Sequence, residues 1–247
     1  IEGFAAYKRL GYFLNKKPQS GTKISLPAPM GKFSAERVSV VINGRVLIQN
    51  ISLALEPGEL LGILGASSAG KTTLCKVLLG IWPATTGKIR MDGAEMDQWP
   101  ERELRSHIGY LPQEPELFEA TVAENIARLE EVDSEKVVRA AQQAGIHEMI
   151  LQLPQGYDTR IDHTGKNLSA GQRQMISLAR ALYNDPKFVV LDEPHTYVDE
   201  AGFHLVLAAV DALRKKKVTT IVITDRSNLI VNMDKLLLLK EGQAIMY

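Results

Sequence analysis

Cysteine is almost missing from this 247-residue chain: Cys75 stands alone, so no internal disulfide can form and a reducing, cytosolic setting is the default expectation. Cys75 sits in an apolar stretch, which suits a small buried side chain better than a nucleophile. Net charge is missing too. The 29 Lys and Arg balance 29 Asp and Glu, so no global basic field draws the chain to nucleic acid. Nor does any apolar run approach the roughly 18 residues that a bilayer span needs. No signal-peptide pattern is present, and the opening Ile1-Glu2-Gly3 without a Met is expected of a segment cut from something longer. His107, His147, His163 and His204 are scattered without ligand spacing and support no metal site. What remains is ordinary globular composition, enough for one domain with subdomains.

Residues 1–17 place Ile1, Phe4, Tyr7, Leu10 and Leu14 at helical spacing, and Pro18 stops the pattern. Lys8, Arg9, Lys16, Lys17, Lys23 and Lys32 face only Glu2 before Phe33. An amphipathic helix on its own domain, a solvated tail, and the basic cytoplasmic flank of a membrane helix all fit this pattern. A Pro-, Gly- and Ser-rich linker over 18–31 follows. Short β-rich runs come next at 38–41, 45–48 and 51–55, with Asn43-Gly44 as a hairpin signal. Continuous apolar or β-branched runs at 60–64, 188–191, 218–224 and 235–239 read as strands of a parallel sheet covered on both faces. Helical patterns at 72–79, 135–144, 171–183 and 201–215 alternate with them, which predicts a doubly wound α/β fold. Residues 121–167, rich in helix formers, read as an inserted helical lobe.

Gly65-Ala66-Ser67-Ser68-Ala69-Gly70-Lys71-Thr72 fits G-x-x-x-x-G-K-[ST], with Thr73 beside it. Glycines let the backbone curl so that N–H groups meet phosphate oxygens, and the helix that follows offers its positive end. Lys71 is expected to reach the β- and γ-phosphates and the Thr72 hydroxyl to hold Mg²⁺. A chance Gly-rich turn would lack the flanking strand and helix that this stretch has. The apolar run 188–191 ends in Asp192 and Glu193, where open α/β sheets place their ligands. Asp192 is suited to support Mg²⁺ and Glu193 to polarise the attacking water as a general base.

Leu168-Ser169-Ala170-Gly171-Gln172 narrows the reading, because it resembles the signature of ABC ATPases, commonly LSGGQ. The resemblance implies that Ser169, Ala170, Gly171 and Gln172 bind the γ-phosphate of ATP held by an opposite domain. It implies a Q-loop role for Gln113, touching Mg²⁺ and the membrane partner, and a role for Asp199 in communication across the dimer. The motifs together span 38 to 247. Stretches such as Gly80-Ile81-Trp82-Pro83, Thr121-Val122-Ala123-Glu124-Asn125-Ile126 and Leu153-Pro154-Gln155-Gly156-Tyr157-Asp158-Thr159 resemble the protease and RTX-toxin exporters of type I secretion. By that resemblance, 1–33 is a juxtamembrane helix remnant and linker. Residues 34–247 are then an ATPase domain with a P-loop (RecA-like) core, an antiparallel β lobe and the helical lobe. The implied partners are a second nucleotide-binding domain, the transmembrane domain of the same polypeptide, a periplasmic adaptor and an outer-membrane channel, with no nucleic acid. The implied place is the cytoplasmic face of the inner membrane, and the implied cofactors are ATP and Mg²⁺.

Three departures stand out. Where the family has a histidine, in a context like Ile-Thr-His-Arg, this chain reads Ile223-Thr224-Asp225-Arg226. At about 4 Å and an effective dielectric of about 20, Asp225 and a phosphate charge repel by about 4 kcal/mol, so Asp225 is expected to turn away or to take up a proton. It therefore either slows hydrolysis, leaving an ATP-sensing half-site, or is compensated by Arg226 or His195. Ala170 replaces a usual glycine. No aromatic stands near 41–43 to stack a base. A DNA-repair ABC ATPase is disfavoured because the insert between Lys71 and Ser169 is short and lacks a sustained heptad.

Overall fold

The computed structural model describes residues 25–162 and 167–247. The helix expected at 1–17 and the first part of the linker lie outside these residues, as does His163.

Strands β1 (Phe33–Ile42) and β2 (Arg45–Leu55) pair antiparallel around Asn43-Gly44, whose φ angles of 50° and 75° suit a tight hairpin. The runs expected separately at 45–48 and 51–55 form one strand. Ile48 and Ile51 would face opposite sides of a regular strand, but both are buried. Asn50, at φ 50°, lies in an irregular register that turns both inward. Strands β4 (Thr86–Met91) and β5 (Ala94–Glu95) complete an antiparallel sheet in the order β2-β1-β4-β5.

The second sheet contains β3 (Leu60–Leu64), β6 (Ile108–Leu111), β7 (Phe188–Asp192), β8 (Thr219–Ile223), β9 (Lys235–Lys240) and β10 (Gln243–Met246). Its order is β10-β9-β3-β8-β7-β6, parallel from β9 to β6, with β10 antiparallel at the edge. Every residue of β7 and β8 is buried, which is why these strands read as unbroken apolar runs. Neighbouring residues serve opposite faces. Leu60, Val189 and Val222 join one hydrophobic cluster, while Leu61, Val190 and Ile221 join another. Phe33 and Phe188 stack at 4.2 Å between ring centroids and tie the β lobe to the central sheet. β6 was not expected as a strand, since Gly109 interrupts its short apolar run. That glycine is there for space: a Cβ would meet the Ala181 carbonyl oxygen at 2.2 Å.

The helices are α1 (Lys71–Leu78), α2 (Glu101–Ser106), α3 (Val122–Ile126), α4 (Ser134–Gln143), α5 (His147–Leu151), α6 (Ala170–Leu182), α7 (Glu200–Lys215) and α8 (Ser227–Ile230). Those at 71–78, 134–143, 170–182 and 200–215 match the sequence patterns to within a residue at either end. α3 starts in a capping box: Glu124 N–H donates to Thr121 Oγ1 at 3.1 Å, and Thr121 N–H donates to Glu124 Oε2 at 2.7 Å. Buried Asn125 ties the preceding turn through the Phe118 and Thr121 carbonyls. Cys75 is fully buried and burial pushes its thiol pKa up, so it is an inert core residue. No helix among the described residues is long and apolar enough to cross a membrane.

Candidate nucleotide site

Four adjacent parallel strands deliver their carboxyl ends to one edge of the sheet. β3 leads into the 65–70 loop, β8 into Asp225, β7 into Asp192 and Glu193, and β6 into Gln113. Such an edge is where open α/β sheets bind ligands. The sheet register aligns Ile223 with Ile63 on one side and with Asp192 on the other.

The 65–70 loop is tightly curled. Gly65 has φ 156°, and a Cβ there would lie 2.3 Å from the Leu239 carbonyl oxygen. Lys71 Nζ bends back over the loop and donates to the Gly65 and Ala66 carbonyls at 2.8 and 3.0 Å. The loop is fastened to the β9–β10 turn by Gly242 N–H donating to the Ala69 carbonyl at 2.9 Å. Ala66, Ser67 and Ser68 face solvent, while Lys71, Thr72 and Thr73 are half-buried at the start of α1.

Asp192 is only 1% exposed, and neither carboxylate oxygen closes a hydrogen bond. Burial pushes its pKa up and Glu193 adds to the push; Thr72, Lys71 and Lys76 pull the other way. Thr72 is near enough to weigh on Asp192 without completing a bond of ordinary geometry. An orphaned buried carboxylate beside a hydroxyl fits a hard, oxygen-seeking cation such as Mg²⁺. Among the described residues no cluster of three or more His, Cys, Asp or Glu side chains is gathered, so no all-protein metal cage exists here. Mg²⁺, which characteristically keeps waters and substrate phosphates as ligands, needs none.

Glu193 takes a left-handed φ of 48°, which is strained for a non-glycine residue. Several bonds hold it there. Its N–H donates to the Ile223 carbonyl at 3.1 Å, Gln113 Nε2 donates to Oε2 at 3.0 Å, and Thr196 Oγ1 lies 3.3 Å from the same oxygen. The Gln174 amide, fully buried on α6, reaches the Glu193 carbonyl at 3.5 Å. Thr196 and Gln174 were not singled out from the sequence; a polar residue on the apolar face of a helix was the only available signal for Gln174.

The Asp225 side chain is 89% exposed, and its Oδ1 lies 3.0 Å from His195 Nε2. Ser169 caps α6 in a reciprocal box with Gln172, at 3.1 and 2.8 Å. Asp199 caps α7 through Gly202 N–H at 2.8 Å. The two turns adjoin, since a Cβ on Gly171 would sit 3.1 Å from the Tyr197 carbonyl oxygen. No hydrogen bond among the described residues joins the Ser169 turn to the 65–72 loop. A separate groove of about 830 Å³, lined by Ile81, Trp82, Met96, Leu104 and Arg128, shares no residue with the strand-end cluster.

A curled loop at a strand–helix junction, flanked by two carboxylates at the next strand ends, defines an α/β nucleotide-binding protein. Residues 48–196 match the ABC transporter family. The chain belongs to that family, as one of its ATP-binding domains. It is 39% identical over 96% of its length to the type I secretion system ATP-binding protein PrsD of Rhizobium meliloti, covering 41% of that protein. It is 36% identical over 98% of its length to an ATP-dependent lipid A-core flippase of Chromobacterium violaceum, covering 42% of that protein. In shape, 98% of the chain superposes on 44% of a bacterial Atm1-family ABC exporter solved with ATP bound, at a TM-score of 0.86 and 26% identity. The chain thus spans about two fifths of these relatives.

Proposed function

We propose that this chain is the motor of a type I secretion exporter, binding ATP with Mg²⁺ between two copies and hydrolysing it to drive export of a protein. The observation that carries the hydrolytic part is the gathering of Lys71, Thr72, Gln113, Asp192 and Glu193 at adjacent strand ends. Lys71 leaves the Gly65 and Ala66 carbonyls for the β- and γ-phosphates, a stronger charge-assisted partner. Thr72, Asp192 and Gln113 would hold Mg²⁺, which when bound neutralises phosphate charge. Glu193 orients water in line with the γ-phosphate and takes its proton.

The remainder of the site comes from a second copy. Ser169, Ala170, Gly171 and Gln172 open a 13-residue helix whose N-terminal end favours an anion, yet no bond ties them to their own loop. Facing a partner's nucleotide, they supply its other wall, with Asp199 beside them. The groove at Trp82 and Arg128 is suited to receive the transmembrane part of the same polypeptide. The protein-export reading rests on the similarity to the Rhizobium protein; the flippase similarity makes a lipid the competing cargo. An adaptor and an outer-membrane channel belong with the protein-export reading, and the cytoplasmic face of the inner membrane is the matching location.

Phosphate release from purified chain tests the hydrolytic part. Glu193→Gln is expected to lower kcat by about 10²–10⁴-fold while ATP binding persists. Full turnover in that variant would refute the assignment. For cargo, the full-length polypeptide in vesicles should be stimulated by a secreted protein rather than by lipid A; the reverse would favour the flippase reading.

A further inference from the structure

Asp225 stands where a histidine was expected, and a histidine stands next to it. His195 reaches the end of β8 from the turn after β7, with a side chain only 9% exposed. Its two nitrogens are committed in a consistent order. Arg226 N–H donates to Thr224 Oγ1 at 3.0 Å, which leaves the Thr224 hydroxyl proton for His195 Nδ1, 3.4 Å away. A carboxylate only accepts, so Nε2 carries the proton and donates to Asp225 Oδ1 at 3.0 Å, and in the neutral ring Nδ1 is the acceptor facing Thr224. Phe203 of α7 packs edge-on against the ring, with centroids 6.4 Å apart, and Arg226 lies over Phe203. The charged groups around the imidazole are therefore Asp225, Arg226 and Glu193. Burial is the largest influence on its pKa and lowers it, which favours the neutral ring that this bonding order requires.

The ring sits two residues beyond Glu193, on a turn whose backbone is strained at Glu193 and closed by Thr196 N–H donating to the Glu193 carbonyl at 3.2 Å. Strain of that kind persists only where the surroundings over-determine it. His195 is the side chain that joins the far side of this turn to the end of β8, and β8 neighbours the strand carrying the 65–70 loop.

We propose that His195 and Asp225 act together as a positioning pair: Asp225 fixes the imidazole through its Nε2–H, and the imidazole holds the Glu193 turn against the end of β8. The inference rests on the hydrolytic reading above, with Glu193 as base. Asp225 on this view is not a defect that disables turnover but one half of a device shared between two strands. Because Asp225 is largely exposed, the pair adds little to stability. Its effect falls on kcat.

The test is a double-mutant cycle on this chain, following ATP turnover and thermal unfolding together. His195→Ala and Asp225→Ala are each expected to lower kcat by about 10–100-fold with KM for ATP within about threefold; the unfolding midpoint should stay nearly unmoved in Asp225→Ala, whereas His195→Ala also loses buried packing against Phe203. The double alanine variant should be no worse than the poorer single, since both remove one interaction. Reciprocal exchange (His195→Asp with Asp225→His) should recover at least about tenfold over His195→Asp alone. His195→Asn, which keeps a donor, guards against a misfolded alanine variant and should lose less than alanine. Additive losses, no rescue on exchange, or full kcat in His195→Ala would overturn the pair's role. A wild-type chain that binds ATP yet never hydrolyses it would instead overturn the hydrolytic reading, and the inference with it.

Discussion

Asp192 is the residue at which the nucleotide-free protein is least at ease. A buried carboxylate without a hydrogen bond is destabilising until a cation reaches it. Its raised pKa gives a sign: stability falls as pH rises from the ordinary aspartate value of 3.8 through the elevated folded value, and is level above that. Asp192→Asn should remove this slope and raise the nucleotide-free stability above the folded-state pKa, read by thermal unfolding across pH 3–8. The same variant should forfeit most of the extra stabilisation that Mg²⁺ with ATP gives the wild type. The identities of Asp192, Glu193, Lys71 and Thr72 were legible because their motif spacing is tied to chain geometry. The partnership of Asp225 with His195 was legible only as one of two compensations, since residues 30 positions apart meet through strand order that no local pattern encodes.

At the scale of elements, β3, β7 and β8, buried almost throughout, and the half-buried β9 announced themselves as apolar or β-branched runs. β4, β5, β6 and β10 did not. β10 is exposed throughout, β4 is exposed over its first half, and β6 is four residues long with a glycine inside. Phe188, fully buried and stacked on Phe33, joins the two sheets. Phe188→Ala is expected to cost about 3–5 kcal/mol in a urea titration, and a loss below about 1 kcal/mol would mean that the stack carries little of the junction. Where β3 begins, Lys235 donates to Glu59 at 2.7 Å and its hydrogen bond holds the Glu59 carboxyl below the usual range. That modest contribution is present above the ordinary glutamate pKa and is lost as pH falls through the depressed one. Glu59→Gln should accordingly lower the neutral plateau by that modest amount, leave stability unchanged below the depressed pKa, and so flatten the acid limb.

For the whole molecule, the proposed two-copy site, with the Ser169 turn of one copy facing the 65–72 loop of the other, makes a demanding prediction. Lys71→Ala spoils one wall of the composite site and Ser169→Arg the other, so each variant alone should be inactive. Mixed together they should regain turnover, because one of the two sites in a mixed dimer has both walls intact. Equal inactivity of the mixture would show that each copy works by itself. The Gln113–Glu193 bond bears on the same assembly. The Gln113 amide competes with water for Glu193 Oε2. Gln113 leaves the end of β6, whose Tyr110 lines the groove at Trp82. On the proposed reading, a transmembrane segment docked in that groove would draw the amide away from Glu193 and so tie turnover to transport.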